Sequence, residues 1–181
     1  KRSKKPSATW RRIAELGSWK GGFHVRFFAP KKTFVSDITS WFDTECGDDV
    51  GVVLIDYIDE LISPERYKVK KLDSYEEGGL VASEFRSYVK ARGLFGFTAS
   101  QAQRQKNKNS LLTTESPAGS IQKSRLTDYL ITLNYDPETG GIKYLLDKVR
   151  WGKGRIEVGP IPHDWGRGRM CRLADVEIDD D

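Results

Sequence analysis

From Gly51 to Ile55 the chain reads "GVVLI" and runs straight into Asp56. An apolar run this short, with no alternation, is the pattern of a strand buried on both faces of a parallel sheet. Before it, "KKTFVSDITSWFDTE" spaces Phe34, Ile38, Trp41 and Phe42 along one side of an amphipathic helix. Earlier still, "FHVRFFA", from Phe23 to Ala29, is aromatic and β-branched enough to predict a strand, ended by Pro30. After Asp56 the charged stretch over 63–93 reads as mostly helical, with Val81, Phe85, Tyr88 and Val89 forming one stripe and Gly93 as its C-cap. "LFGFTAS" then returns as a short strand. Strand, helix and strand in alternation predict an α/β fold whose sheet is mainly parallel and covered by helices.

The pattern dissolves between Gln101 and Thr127, in "QAQRQKNKNSLLTTESPAGSIQKSRLT". A polar loop of that length inside a compact domain is functional or mobile. Two more strands follow, "DYLITLNYD" and "IKYLLDKVRWG", joined by "PETGG" as a hairpin, and the last stretch, with "GPIPHDWGRGR", reads as irregular. A chain of 181 residues fits one domain. Its expected divisions are a basic segment over 1–22, a core over 23–160 and an irregular segment over 161–181 with an acidic end.

Composition narrows the class. With 38% hydrophobic and 31% charged residues the chain is globular rather than disordered. No apolar run approaches the roughly 20 residues of a membrane span. Cys46 and Cys171 have neither disulfide-framework nor metal-type spacing, and no signal-peptide pattern opens the chain, so a soluble cytoplasmic protein is expected. The net charge of +4 is concentrated at the start, where Lys1, Arg2, Lys4, Lys5, Arg11 and Arg12 precede the first acid, Glu15. That segment reads either as a solvated tail or as an arm touching nucleic acid. A start at Lys1 without methionine reads as a fragment or a processed product.

Three places carry candidate chemistry. Asp56 closes the apolar strand, and the C-terminal edge of a parallel sheet is where open α/β folds bind ligands. An acid there can hold the water shell of Mg²⁺, although a strand-end acid with no such role is common. Ser100 and Gln101 end the next strand; side by side with Asp56 they can sense a terminal phosphate, and alone they are a capping serine and a surface glutamine. Lys148 and Arg150 alternate by two, so both project from one side of a strand near its end. Such a pair can stabilise charge on a transferring phosphoryl group, or can be an ordinary basic edge that discourages aggregation. Histidines His24 and His163 are assigned no role, and the tryptophans read as core or interface filling.

Taken in order, a strand ending "IDY", a helix, a strand ending "SQAQR", then "ESPAGSIQKSRLTDYLITL" and "KVRWGKG", the chain from about Phe23 to Arg155 resembles the C-terminal half of the RecA-like motor of DnaB-type replicative DNA helicases, including those of bacteriophages. The resemblance implies a RecA-like α/β core, ATP and Mg²⁺ as cofactors, single-stranded DNA as partner and a ring, a hexamer, of identical subunits, with a primase or helicase loader as further partners. It implies that Asp56 is the Walker B acid, Gln101 the phosphate-sensing glutamine, and Arg104 the arginine closing that motif. Lys148 and Arg150 correspond to the Lys-x-Arg pair reaching into the neighbouring subunit's ATP site, and Gly152 to the glycine beyond it. Basic residues Arg104, Lys106, Lys108, Lys123 and Arg125 fall in the loop that faces DNA in the ring, giving sequence-independent, salt-sensitive affinity; of these Lys106, Lys108, Lys123 and Arg125 are the expected strand contacts. Two departures stand out. Pro117 occupies the glycine of the family's Glu-Ser-Gly, and no GxxxxGK[ST] loop occurs, "GSWKGG" having neither its spacing nor its Lys-Ser/Thr pair. The chain alone is therefore expected to bind Mg-ATP poorly. Two rival expectations stay open: a RecA- or RadA-type recombinase ATPase, and a non-hydrolysing DNA-binding or helicase-associated module.

Overall fold

The helical spacing upstream of Gly51 becomes helix α1, Val35–Glu45, with Val35, Ile38 and Phe42 buried. Asp37 in its first turn accepts the Phe34 N–H at 2.9 Å, relieving one of the unpaired amides a helix start leaves. These features come from a computed structural model that describes residues 22–48, 50–68, 72–101, 120–164 and 169–170. Strand β1, Val52–Ile55, follows. A 3₁₀ turn over Ile58–Glu60 and a second over Pro64–Tyr67 lead to helix α2, Ser74–Ala91. Asp73 caps α2 by accepting the Glu76 N–H at 2.7 Å. Gly93, at φ +65°, ends it as expected, and the Leu94 and Gly93 amides return to the carbonyls of Val89 and Lys90.

Strand β2, Phe95–Thr98, lies parallel to β1 with Val52 opposite Phe95 and Ile55 opposite Thr98. Gly96 allows β2 to approach α2, since a Cβ there would meet Val89 Cγ1 at 3.0 Å and Phe85 Cζ at 3.2 Å. Val53 and Ile55 from β1, Val35, Ile38 and Phe42 from α1, and Val81, Ala82 and Phe85 from α2 form one core with Ile58 and Leu61. The expectation of a strand buried on both faces fails here. Val52 and Leu54, with Phe95 and Phe97 of β2, are exposed, because among the described residues α1 and α2 cover only one side. Nor does a strand form over Phe23–Ala29. Phe23, Val25 and Phe27 are exposed, and Phe28 alone turns inward, its ring edge-on to Trp41 at 5.9 Å.

The polar stretch ends in a helix that periodicity did not reveal, α3, Ser120–Leu126. It packs where α2 is small: a Cβ on Gly79 would lie 2.0 Å from Gln122 Oε1, and one on Gly78 2.8 Å from Lys123 Cε. Strands β3, Tyr129–Tyr135, and β4, Ile142–Val149, form the expected hairpin. Its turn uses Gly140 at φ +67°, with Thr139 donating to the Asp136 carboxylate at 2.9 Å. A third antiparallel strand, β5, Ile156–Ile161, pairs with β4, and short strands β6, His163–Asp164, and β7, Arg169–Met170, pair with each other. The segment expected to be irregular therefore begins with ladder structure.

Among the described residues the fold is thus mixed α/β, with a two-stranded parallel sheet, a separate three-stranded antiparallel sheet and the short β6–β7 pair. A larger, mainly parallel sheet with a hairpin appended is not seen among the described residues, where the parallel part is the β1–β2 pair. Among the described residues no helix is long and apolar enough to cross a membrane.

Candidate functional site

Thr98, the last residue of β2, fastens the C-terminal edge of the parallel pair. Its hydroxyl donates to the Ile55 carbonyl at 2.9 Å and accepts the Ile58 N–H at 3.1 Å, so the chain leaving β1 turns tightly across the end of β2. Asp56 stands at this edge with its side chain exposed. Tyr57 follows, and its hydroxyl donates to Glu60 at 2.9 Å while accepting from the Gln101 side-chain amide at 3.2 Å. Parallel pairing of β1 and β2 therefore brings Gln101 to the edge that carries Asp56, as expected.

Asp59 corrects a simpler expectation. Reading it and Glu60 as acids too far along to share the position of Asp56 neglects the 3₁₀ turn, whose period of three brings Asp59 back to the edge. Its carboxylate accepts the Gln101 N–H at 2.9 Å and the Ser100 hydroxyl at 3.2 Å, and it pairs with Lys123. Burial alone would raise its pKa, but the Lys123 hydrogen bond, the Gln101 N–H, the Lys123 charge and Ser100 together hold it below the usual carboxylate range. Lys123 also donates to Ser100 at 3.1 Å. It therefore sits in an internal ion pair at the sheet edge, a geometry that leaves it less available to a DNA strand than a loop lysine. The spacing signal was present in "DYIDE": Tyr57 with Glu60 and Asp56 with Asp59 are each three apart.

Lys148 and Arg150 do project from one side, and both reach the same acceptor. Lys148 donates to the carbonyls of Ser124 at 2.5 Å and Arg125 at 3.2 Å, and Arg150 to that of Arg125 at 3.2 Å. These are among the last carbonyls of α3, which have no partner within the helix and attract cations. Asp128 gathers two guanidiniums, Arg150 at 2.9 Å and Arg86 of α2 at 3.1 Å. No spacing rule could have found Arg86, which meets Asp128 across 42 residues. Burial, with Arg150 and Arg86 adding to it and Asp128 opposing, pushes the Lys148 pKa down.

Arg125 is exposed beside this group. Arg104, Lys106, Lys108, Pro117 and the basic segment over 1–21 lie outside the described residues. Among the described residues no cluster of three or more His, Cys, Asp or Glu could hold a metal ion directly. Among the described residues the edge offers Mg²⁺ the exposed carboxylate of Asp56, which suits a hydrated ion held through its waters. Neither a protein-family model nor a curated protein matches the chain.

Proposed function

We propose that this chain is part of an ATP-dependent, ring-forming replicative DNA helicase that translocates on single-stranded DNA, with a RecA-like core completed by residues other than those described. The observation that carries the reading is the parallel pairing of β1 with β2, which sets Asp56 and Gln101 on one C-terminal sheet edge. In this reading Asp56 holds the water shell of Mg²⁺, and Gln101, tied to Tyr57, reports on a terminal phosphate. The chain has no phosphate cradle of its own, so the nucleotide's amide contacts come from elsewhere. Lys148 and Arg150 serve a neighbouring subunit. An ammonium has three donors and a guanidinium five, so contacts to the α3 carbonyls do not exhaust either group.

The test uses the chain together with whatever residues its gene encodes ahead of Lys1, and measures DNA-stimulated ATP hydrolysis and unwinding of a forked duplex. Gln101→Ala, Lys148→Ala and Arg150→Ala are each expected to cut turnover, the last two by about 10³, while single-strand binding persists. Absence of hydrolysis in the parent protein retires the reading. One observation favours the non-hydrolysing alternative: Lys148 and Arg150 both serve the chain's own helix end, a structural duty sufficient to explain them. Strand binding by the parent protein without turnover is the outcome that reading expects; strand exchange in place of polar unwinding is what a recombinase would give.

A further inference from the structure

Beside the end of α3 lies an open depression of about 350 Å³ lined by Ser124, Arg125, Asp147, Lys148 and Arg155. Its charge is unbalanced, with three cations facing one carboxylate. Asp147 is on the inner wall, its side chain 1% exposed, and Arg155 on the rim, 70% exposed, with 4.0 Å between Arg155 Nε and Asp147 Oδ1. Arg125 is exposed and makes no ion pair among the described residues. Lys148 spends two of its three N–H groups on carbonyls, which leaves one.

Arg155 reaches this place at a backbone cost. Its φ is +60°, a left-handed conformation that is strained for a non-glycine residue and recurs where a site requires it. The residue before it explains how the turn is fixed. Gly154 lies so close to β4 that a Cβ would sit 3.0 Å from the Asp147 carbonyl, so the chain presses against β4 and Arg155 emerges over the depression. Capping of the α3 carbonyls by Lys148 and Arg150 also matters, because an uncapped helix C-terminus would repel an anion.

We propose that the depression bounded by Arg125, Lys148 and Arg155 is a phosphate-binding site. Two guanidinium forks and an ammonium supply the donors that the oxygens of a phosphate group accept. The site shares Lys148 with the helicase reading, whereas Arg125 and Arg155 belong to it alone, so phosphate binding read at those two arginines is tested whether or not the parent protein turns over ATP.

The experiment is a titration of the ¹⁵N-labelled chain with pyrophosphate and, separately, with a short oligothymidylate, following the arginine Nε–Hε signals of Arg125 and Arg155. Saturable shifts of both are expected. Arg155→Gly, which removes the guanidinium and relieves the positive φ, is expected to weaken binding about tenfold, a charge-assisted hydrogen bond being worth roughly that factor, and Arg155→Lys to recover part of it. Shifts with pyrophosphate alone support a free phosphate or nucleotide as the source, and shifts with the oligonucleotide alone support a strand's backbone. No saturable shift with either probe overturns the proposal, as does equal affinity of Arg155→Gly and the parent chain with the remaining amide spectrum intact.

Discussion

The parallel pair β1 and β2 and the antiparallel sheet β3 to β5 are built from similarly apolar strands, yet they bury them differently. Val53 and Ile55 of β1 disappear under α1 and α2. In β3 the alternating residues Tyr129, Ile131, Leu133 and Tyr135 remain 56–60% exposed, and within that sheet Leu145 is the buried apolar side chain while Asn134 and Asp147 are the buried polar ones, with Asp136 buried at the hairpin turn. Strand formation and core formation are thus separate events. The first needs a ladder partner; the second needs an apolar stripe laid over the face, which α1 and α2 supply to one sheet and nothing among the described residues supplies to the outward face of β3.

The largest test of that contrast is a pair of truncations. Phe85→Ala removes a ring at the centre of the α1, α2 and β1 core and is expected to cost about 3–5 kcal/mol, enough to threaten a domain of ordinary stability. Leu133→Ala, on the exposed face of β3, is expected to cost under about 1 kcal/mol. Urea unfolding of both variants checks this. Equal losses would mean that the β3 face is covered in solution, and the contrast between the sheets would disappear.

The same contrast explains what was legible beforehand. Helices α1 and α2 announce themselves because one face of each is buried, so Ile38 and Phe42, and Val81 and Phe85, recur at helical spacing, although Phe34 of the expected stripe is the N-cap and Val35 takes the buried place beside it. The hairpin is legible from its Gly-Gly turn. Phe23–Ala29 has equally good strand composition and forms none, because pairing depends on a neighbour and a local pattern cannot supply one. Strand β5 errs in the other direction. Gly159 and Pro160 interrupt "IEVGPI", but β5 is an edge strand of the order β3-β4-β5, where a missing N–H is tolerated. At the site, Asp56, Gln101, Lys148 and Arg150 were legible as types, while their partners Tyr57, Asp59, Arg86 and Asp128 were not. Those partners come from a 3₁₀ turn and from contacts across tens of residues.

A smaller effect sharpens the comparison from the polar side. Glu77 on α2 is buried, and its two oxygens accept the Ser63 N–H at 3.1 Å and Arg66 at 2.8 Å. It ties the second 3₁₀ turn to the packed region, as no apolar residue could. Glu77→Ala leaves a buried amide without an acceptor and is expected to cost about 1–3 kcal/mol. Because Arg66 is partly solvated, its charge adds little to that loss. If the variant unfolds no earlier in urea, water has replaced the carboxylate, and the packed region depends on its apolar members alone.

Asp59 joins the two regions, and its replacement should have the least effect on global stability. The carboxylate belongs to the edge of β1 and β2, and Lys123 belongs to α3, whose far end is held by Lys148 and Arg150. A partly exposed ion pair contributes about 1 kcal/mol or less, so Asp59→Asn is expected to lower stability within that limit at neutral pH. The pH dependence has a definite sign. The folded pKa of Asp59 lies below its ordinary value, so the stabilisation is complete above an unfolded pKa of about 3.9 and is lost as pH falls through the folded value. The difference between the parent chain and Asp59→Asn should therefore shrink on acidification below about pH 4. Amide exchange offers the sharper reading, because the helix released is α3 while the Phe85 core is untouched. Faster exchange confined to residues 120–126 would establish Asp59 as a joint between two semi-independent regions, whereas uniform acceleration through α1 and α2 would show that the two sheets unfold as one unit.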